Sequence, residues 1–359
     1  MVAIACSLLT AGCVAPAFTP PQPAGGCPPT WQAAVLYSAE GAASEIVFVG
    51  SQRVLERRSI PYRGLSAAPT DGVKRSSDGN WWLVSNGSPA GGQSHILRFS
   101  VATCEFTNFA VEEQSVRAVV GAADGFYTTN NINGVGEIRR RNLSGAVEAE
   151  VGLSGVDFTA LELHGGDLYA IGSTMGEATD RATIYRLNAQ SLKSEAKIDL
   201  QGYNGTSSQA AIYGESLWVP LPTTAGDTES DDLAKVSLKD FSVSRVETHS
   251  PSPFLTASLG GVVYVGHTFM NPGFRPMSEY RFVTEVSVKG VAGDPKPLDG
   301  PILAMREQGR SLVLLSGDVR EGQRLSTVSV PGVAVESVVT LPPPQEPTSY
   351  AAGLIVSGR

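Results

Sequence analysis

The chain has 359 residues, of which 17% are charged, and its 27 basic and 35 acidic side chains give a net charge of −8. This acidic balance excludes a general electrostatic attraction to nucleic acid, so we expect no nucleic-acid partner. The 39 glycines and 23 prolines suit many short strands joined by turns. The basic triplet Arg139 to Arg141 is interpreted as part of a solvated strand with one packed side chain, not as an anion site.

The N-terminal segment MVAIACSLLTAGC resembles a bacterial lipoprotein signal, because an apolar run leads into small residues and then a cysteine. We therefore expect residues 1–12 to be a signal peptide and Cys13 to carry the lipid. The alternative is cleavage after Ala17 and release as a secreted protein. Because the apolar run is too short to span a bilayer, the lipid would be the membrane anchor of an extracytoplasmic protein.

Residues 13–30 are rich in proline, which predicts an extended, semi-rigid tether in front of a folded domain over residues 31–359. Outside the leader and the lipidation site, the chain has two cysteines, Cys27 and Cys104. Export would bring both to an oxidising compartment, so we expect a disulfide between them.

Seven short apolar strands recur along the rest of the chain at a nearly constant interval. They align when seven residues, 42 to 49 positions apart, are taken as equivalent: Tyr37, Trp82, Tyr127, Tyr169, Trp218, Tyr264 and Val313. A period of roughly 40–50 residues with several strands in each unit is typical of a β-propeller. The sequence therefore predicts an all-β fold, a seven-bladed β-propeller with four-stranded blades, which we expect to be a monomer.

The two ends of the domain are expected to share one blade. Three strand patterns precede Trp82, and a single pattern, SYAAGLIVSG, follows the seventh blade. We predict that this C-terminal strand joins blade 1 as its innermost strand and closes the ring, because closure protects two open edges. Strand direction then places Cys27 and Cys104 on the lower face of adjacent blades, and the tether leaves from that face.

The opposite, top face carries the loops that join the second and third strands of each blade. These loops are long in blades 2, 4, 5 and 6, and long loops on a rigid scaffold commonly carry binding. The blade 6 loop combines aromatic and cationic groups suited to a protein or glycan partner, and the candidate residues are His267, Phe269, Phe274, Arg275 and Tyr280. In the alternative interpretation, Phe269 and Phe274 pack the loop onto the domain.

Carboxylates in the loops of blades 4 and 5 offer the oxygen ligands that calcium takes. The candidate ligands are Asp180, Asp227 and Asp231. The alternative is a solvated acidic patch, since no loop matches an EF-hand or a nonapeptide calcium repeat. The sequence carries no other cofactor motif.

The repeat over residues 31–359 resembles extracytoplasmic seven-bladed propellers of the YVTN/NHL-like and lactonase-like groups, through Pro69-Thr70-Asp71-Gly72 and Ser77-Asp78-Gly79-Asn80. The lactonase-like resemblance implies a divalent cation held by Glu, Asn and Asp at the channel mouth, but no positions here match that set. We favour a surface-anchored, non-catalytic binding or assembly module of the cell envelope. The alternative is a divalent-cation-dependent, lactonase-like hydrolase at the channel mouth.

Overall fold

The computed structural model describes residues 26–39, 41–68, 70, 72–87, 93–175, 181–207, 209–268, 275–276, 279–320 and 322–358. The predicted signal peptide, Cys13 and most of the predicted tether lie outside these ranges. The described residues contain 29 β-strands in seven antiparallel sheets and no α-helix. None of their segments is a helix long and apolar enough to cross a membrane.

Each sheet is one blade of a seven-bladed β-propeller, as predicted. The strands of the first three blades are β1 (Ala33–Ser38), β2 (Ser44–Val49) and β3 (Val54–Ile60) in blade 1; β4 (Val73–Arg75), β5 (Trp81–Ser85), β6 (Ser94–Phe99) and β7 (Phe106–Val111) in blade 2; and β8 (Val116–Gly121), β9 (Gly125–Ile132), β10 (Val135–Asn142) and β11 (Val147–Ser154) in blade 3.

The same plan continues around the ring. The remaining strands are β12 (Val156–His164), β13 (Asp167–Thr174), β14 (Ala182–Asn188) and β15 (Ser194–Leu200) in blade 4; β16 (Tyr203–Gly205), β17 (Ala211–Tyr213), β18 (Ser216–Thr224), β19 (Glu229–Ser237) and β20 (Val243–Glu247) in blade 5; β21 (Pro253–Leu259), β22 (Val262–His267), β23 (Phe282–Ser287) and β24 (Lys296–Pro297) in blade 6; β25 (Ile302–Gln308), β26 (Ser311–Asp318), β27 (Gly322–Ser329) and β28 (Ala334–Thr340) in blade 7; and β29 (Tyr350–Val356) at the C-terminus.

The seven aligned residues of the repeat occupy the second strand of every blade, and all of them are buried. They pack between blades, where most of the core lies. Between blades 2 and 3, for example, the Trp82 ring lies 5.7 Å from the Phe109 ring and 5.1 Å from the Phe126 ring. Gly121 makes this contact possible, because a Cβ atom there would lie 1.9 Å from Trp82 Nε1.

The C-terminal strand closes the ring, which confirms the prediction from the two ends of the domain. Strand β29 pairs antiparallel with β1 and is the innermost strand of blade 1, with Val35 opposite Leu354 and Ala33 opposite Val356. Leu354 and Val356 are buried in the apolar core. The Trp81 indole of blade 2 donates a hydrogen bond to the Val356 carbonyl over 3.1 Å, so the closing strand is also attached to its neighbour.

The predicted disulfide is present. Cys27, which precedes β1, bonds to Cys104, which lies between β6 and β7, with 4.9 Å between the Cα atoms. The bond joins the lower faces of blades 1 and 2 across a sequence separation of 77 residues.

Blade 5 departs from the regular plan at its innermost strand. Two short segments, β16 and β17, pair with different parts of β18 in place of one continuous strand. The chain between them is held by Ser207, whose hydroxyl donates to the Phe254 carbonyl over 2.5 Å and accepts the Gln209 backbone N–H over 2.9 Å. This interruption brings the Gln209 side chain to the central channel.

The three arginines of the basic triplet lie on β10 and all have carboxylate partners. Arg141 is buried and lies 2.8 Å from the carboxylate of Glu113, which is also buried. Arg139 and Arg140 are half-buried and form ion pairs with Glu137 and Asp124. The prediction of one packed side chain is thus confirmed for Arg141, whereas the other two arginines are half-buried and not solvated.

Candidate functional site

The loop of blade 6 is anchored at both of its roots to the top of blade 5. At its start, the Thr268 N–H donates to the Ser252 carbonyl over 3.2 Å. Further along, Arg275 in the middle of the loop and Tyr280 near its end both bond to the carboxylate of Glu229, the first residue of β19. The Ser252 hydroxyl donates to the same carboxylate over 3.1 Å. The two roots therefore converge on one small hydrogen-bonded cluster.

Arg275 and Tyr280 differ in exposure, although they share a partner. The Arg275 side chain is 45% exposed, whereas Tyr280 is 1% exposed. Burial and the hydrogen bond to Glu229 raise the pKa of the Tyr280 phenol above its ordinary value, so the hydroxyl stays protonated and donates. Arg275 is thus the surface residue of this cluster, and Tyr280 holds the loop from inside.

His267 is fully buried at the end of β22 and supports the loop from beneath. Burial lowers its pKa to about 4, so the imidazole is neutral at pH 7. The Pro251 carbonyl can only accept, so Nδ1 carries the proton and donates to it over 3.0 Å. The Thr284 hydroxyl lies 2.9 Å from Nε2 and 3.1 Å from the Thr248 carbonyl, so its single proton bonds to one of these two acceptors. The other two candidates in this loop, Phe269 and Phe274, lie outside the described residues.

The candidate calcium ligands do not converge among the described residues. Asp227 is exposed and accepts a hydrogen bond from the Asn204 amide. The backbone carbonyl of Asp231 accepts from Thr248, and burial together with the charge of Asp232 raises the pKa of the Asp231 carboxyl. Asp180 lies outside the described ranges, and within them no group of three or more His, Cys, Asp or Glu side chains could hold a metal ion.

The central channel is a second candidate site, which the sequence analysis did not identify. Each of the seven aligned residues pairs with one residue of the innermost strand of its blade. In order of the blades, these partners are Ala351, Lys74, Val120, Glu162, Ala211, Ala257 and Arg306. Four are small or apolar and three are charged, and the three charged residues, in blades 2, 4 and 7, line a cavity in the channel.

One ion pair crosses the channel from blade 2 to blade 4. Lys74 contacts the carboxylate of Glu162 and also donates to the Leu161 carbonyl over 2.8 Å. Burial raises the pKa of Glu162, and the charge of Lys74 opposes that rise. The pair therefore satisfies two largely buried charges at the wall of the channel cavity.

A second set of contacts starts from Arg306 of blade 7. Its guanidinium donates to Gln209 Oε1 of blade 5 over 3.0 Å and to the Val73 carbonyl of blade 2 over 2.9 Å. The Gln209 amide in turn donates to the Thr70 carbonyl over 3.3 Å. Blades that do not touch at the rim are thus joined by side chains at the centre.

A cavity of about 200 Å³ lies in the channel beside these contacts. Its walls include the paired charges Lys74 and Glu162, together with Arg75, Arg306 and Glu307. The signal in the sequence was the presence of charged residues within inner strands that are otherwise apolar. That signal becomes interpretable only once Lys74, Glu162 and Arg306 are known to line one cavity at the centre of the ring.

No protein-family model matches this chain, and no curated protein matches it significantly. Solved structures share its fold. A protein from Lactobacillus plantarum has a TM-score of 0.58 and 12% identity over 91% of this chain and 99% of the other. Kuenenia stuttgartiensis hydrazine synthase has a TM-score of 0.57 and 10% identity over 82% and 94%. BBS1N, solved in complex with ARL6DN, has a TM-score of 0.52 and 16% identity over 78% and 83%. These identities show a common β-propeller fold alone.

Proposed function

We propose that this chain is an extracytoplasmic, lipid-anchored binding module of the cell envelope that binds a protein partner through its top-face loops. The observation that carries this proposal is the anchoring of both roots of the blade 6 loop to Ser252 and Glu229. A loop whose ends are held loses less conformational entropy on binding, which favours affinity. The half-exposed Arg275 is a residue type enriched in protein interfaces.

Two observations support the location and the kind of partner. The Cys27–Cys104 disulfide fits an oxidising compartment outside the cytoplasm. The similar BBS1N structure was solved with a protein bound, so the fold supports protein binding. The lipid anchor on Cys13 rests on the leader pattern. Mass spectrometry of the membrane-extracted protein should find a diacylglyceryl group on an N-terminal Cys13, and a mature N-terminus at Phe18 would exclude it.

Site-specific cross-linking tests the binding surface in the intact cell. A photo-cross-linking amino acid at position 275 should capture one envelope protein, and the same amino acid at position 338, on the exposed outer strand of blade 7, should not. Equal capture at both positions would refute a specific top-face interface.

Loop variants then separate binding from folding. Replacing Phe269, Phe274 and Arg275 with serine should reduce affinity for the captured protein at least about tenfold, because aromatic and arginine anchors dominate interface energies. Tyr280 is left in place because it is buried. The matched control replaces the exposed Val335 and Val338 with serine. Loss of binding only after chelation of divalent cations, with detectable lactone or ester hydrolysis, would replace this proposal with the hydrolase alternative.

A further inference from the structure

A pocket at the lower end of blade 5 contains a lysine that lacks the carboxylate partner seen at the same position in other blades. In blades 2, 3 and 4, an arginine of the third strand lies opposite the aligned aromatic residue and forms an ion pair. These pairs are Arg98 with Asp78 at 2.7 Å, Arg140 with Asp124 at 2.7 Å and Arg186 with Glu195 at 3.6 Å. Lys235 takes this position in blade 5, opposite Trp218. No described carboxylate lies within 4.0 Å of its ammonium group.

Two contacts with neutral groups hold the Lys235 side chain in place. Its ammonium group donates to the Val288 carbonyl of blade 6 over 2.6 Å and lies 5.2 Å from the centre of the Trp218 ring. Both contacts orient the ammonium group and leave its positive charge without a counter-charge. Because an ammonium group carries three N–H donors, Lys235 can donate to a further group in the pocket.

Serine side chains line the pocket next to Lys235. Ser244 of β20 lies directly opposite Lys235, so both side chains leave the same face of the sheet. The Cβ atoms of directly opposite residues lie about 5 Å apart, which is within the reach of one oxyanion. Within the part of the chain that the structure describes, the Ser244 hydroxyl has no hydrogen-bond partner. Ser216 and Ser237, which lie opposite each other, continue the polar wall toward the lower face.

Two further charges line the pocket, but both are exposed. Lys239, in the turn between β19 and β20, adds a second ammonium group, and Glu215 adds a carboxylate. Solvent and salt screen charges at such exposed positions. Lys235 is half-buried, so its charge acts more strongly on a bound group. The pocket therefore favours an anion that contacts Lys235.

We propose that this pocket binds a phosphate group, with the Lys235 ammonium group as its main partner and the Ser244 hydroxyl as a second donor. Phosphate oxygens accept several hydrogen bonds at once, and lysine binds phosphate as a point charge. The pocket is on the lower face, opposite to the blade 6 loop, and does not depend on the proposed protein partner. Because it is open to solvent, the phosphate group can belong to a soluble compound or to the headgroup of a lipid.

Phosphorus NMR with inorganic phosphate as the probe, at constant ionic strength, tests the proposal. The wild-type protein should give a saturable change in the phosphate signal. Lys235→Gln should weaken binding by about tenfold or more, because it removes a charge-assisted hydrogen bond. Lys235→Arg keeps the charge and should retain most of the affinity. Ser244→Ala should cause a smaller loss of about threefold, and Glu215→Gln should strengthen binding because it removes a like charge.

The matched control is Lys193→Gln in the corresponding turn of blade 4. This exposed lysine also lies on the lower face but does not line the pocket, so its loss should leave the affinity unchanged. An equal urea midpoint of unfolding in every variant would show that the fold is intact. If Lys193→Gln weakened phosphate binding as much as Lys235→Gln, the general charge of the face would explain binding, and the proposal would be wrong.

Sedimentation with phosphatidylglycerol vesicles identifies the source of the phosphate group. This measurement uses Cys13→Ser, which removes the proposed lipid anchor, with and without Lys235→Gln. Sedimentation that depends on Lys235 would support the proposal with a lipid headgroup as the ligand. Binding of inorganic phosphate that depends on Lys235, without sedimentation, would support it with a soluble phosphate compound as the ligand. If neither probe bound in a manner that depends on Lys235, the proposal would be overturned.

Discussion

Blade 1 and the central channel both join residues that are far apart in the sequence, but they use different interactions. Blade 1 joins the ends of the domain through the backbone ladder of β29 and β1 and through buried aliphatic side chains such as Leu354. The channel joins blades through a few charged side chains, above all the pair of Lys74 and Glu162. The closure thus depends on many equivalent backbone and aliphatic contacts. The joining of blades at the channel depends on a few contacts between charged side chains, and these respond to pH.

The largest expected effect comes from breaking the closure. Deletion of residues 349–359 removes β29 and leaves β1 as an open edge, so we expect aggregation or failure to fold. The milder Leu354→Ala should cost about 2–5 kcal/mol of unfolding free energy, because the side chain is fully buried. Urea denaturation measures this, with the exposed Val338→Ala as control. A deletion variant with unchanged stability would show that another element closes the ring.

The disulfide between blades 1 and 2 strengthens the same region. Replacing Cys27 and Cys104 with serine removes the covalent bond between two residues that are 77 positions apart in the sequence. On the chain-entropy account this lowers the free energy of unfolding by about 4 kcal/mol. Reduction of the wild-type protein should lower the urea midpoint of unfolding as much as the double serine substitution does. Identical midpoints for the oxidised and reduced protein would contradict the prediction.

Lys74→Met tests the channel, since it leaves Glu162 without its counter-charge. The folded-state pKa of Glu162, already raised by burial, rises further above its unfolded value, an effect that Glu307 reinforces and Arg306 opposes. Stability is then retained at low pH, where the carboxyl is protonated, and is lost as pH rises through the folded-state pKa. We expect about 3 kcal/mol of destabilisation at pH 8 and much less at pH 5.

The second variant for the channel is Lys74→Met combined with Glu162→Gln. It removes the unpaired charge, so its stability should change little between pH 5 and pH 8. Urea denaturation at both pH values provides the comparison. If the single variant lost the same stability at both pH values, packing and not charge would explain the effect.

The smallest expected effect concerns His267 beneath the blade 6 loop. The pKa of His267 is about 4 in the folded protein, below the ordinary value of about 6.5, so only the unfolded state binds the proton in this range. Stability therefore falls as pH decreases from about 6.5 to about 4, and the loss between pH 7 and pH 5 is about 2 kcal/mol. His267→Gln should remove this component of the pH dependence. An unchanged slope in the variant would show that other groups cause it.

Local patterns in the sequence determined the number of blades, the closing strand and the disulfide. Tyr37 and its six equivalents recur at a regular interval because every second strand packs its aromatic or aliphatic residue between neighbouring blades. The direction of successive strands follows from their order along the chain. It therefore predicted that Cys27 and Cys104 lie on the same face, and the structure confirms their bond.

Tertiary structure alone decided which side chains meet across the ring. Lys74 and Glu162 are 88 residues apart, and no local pattern indicates that their strands face each other across the channel. The burial of His267 and Tyr280 likewise follows from the way the blade 6 loop lies against blade 5. The physical reason is that a repeat specifies the contacts within and between adjacent blades, whereas contacts across the channel and between loops depend on the curvature of the closed ring.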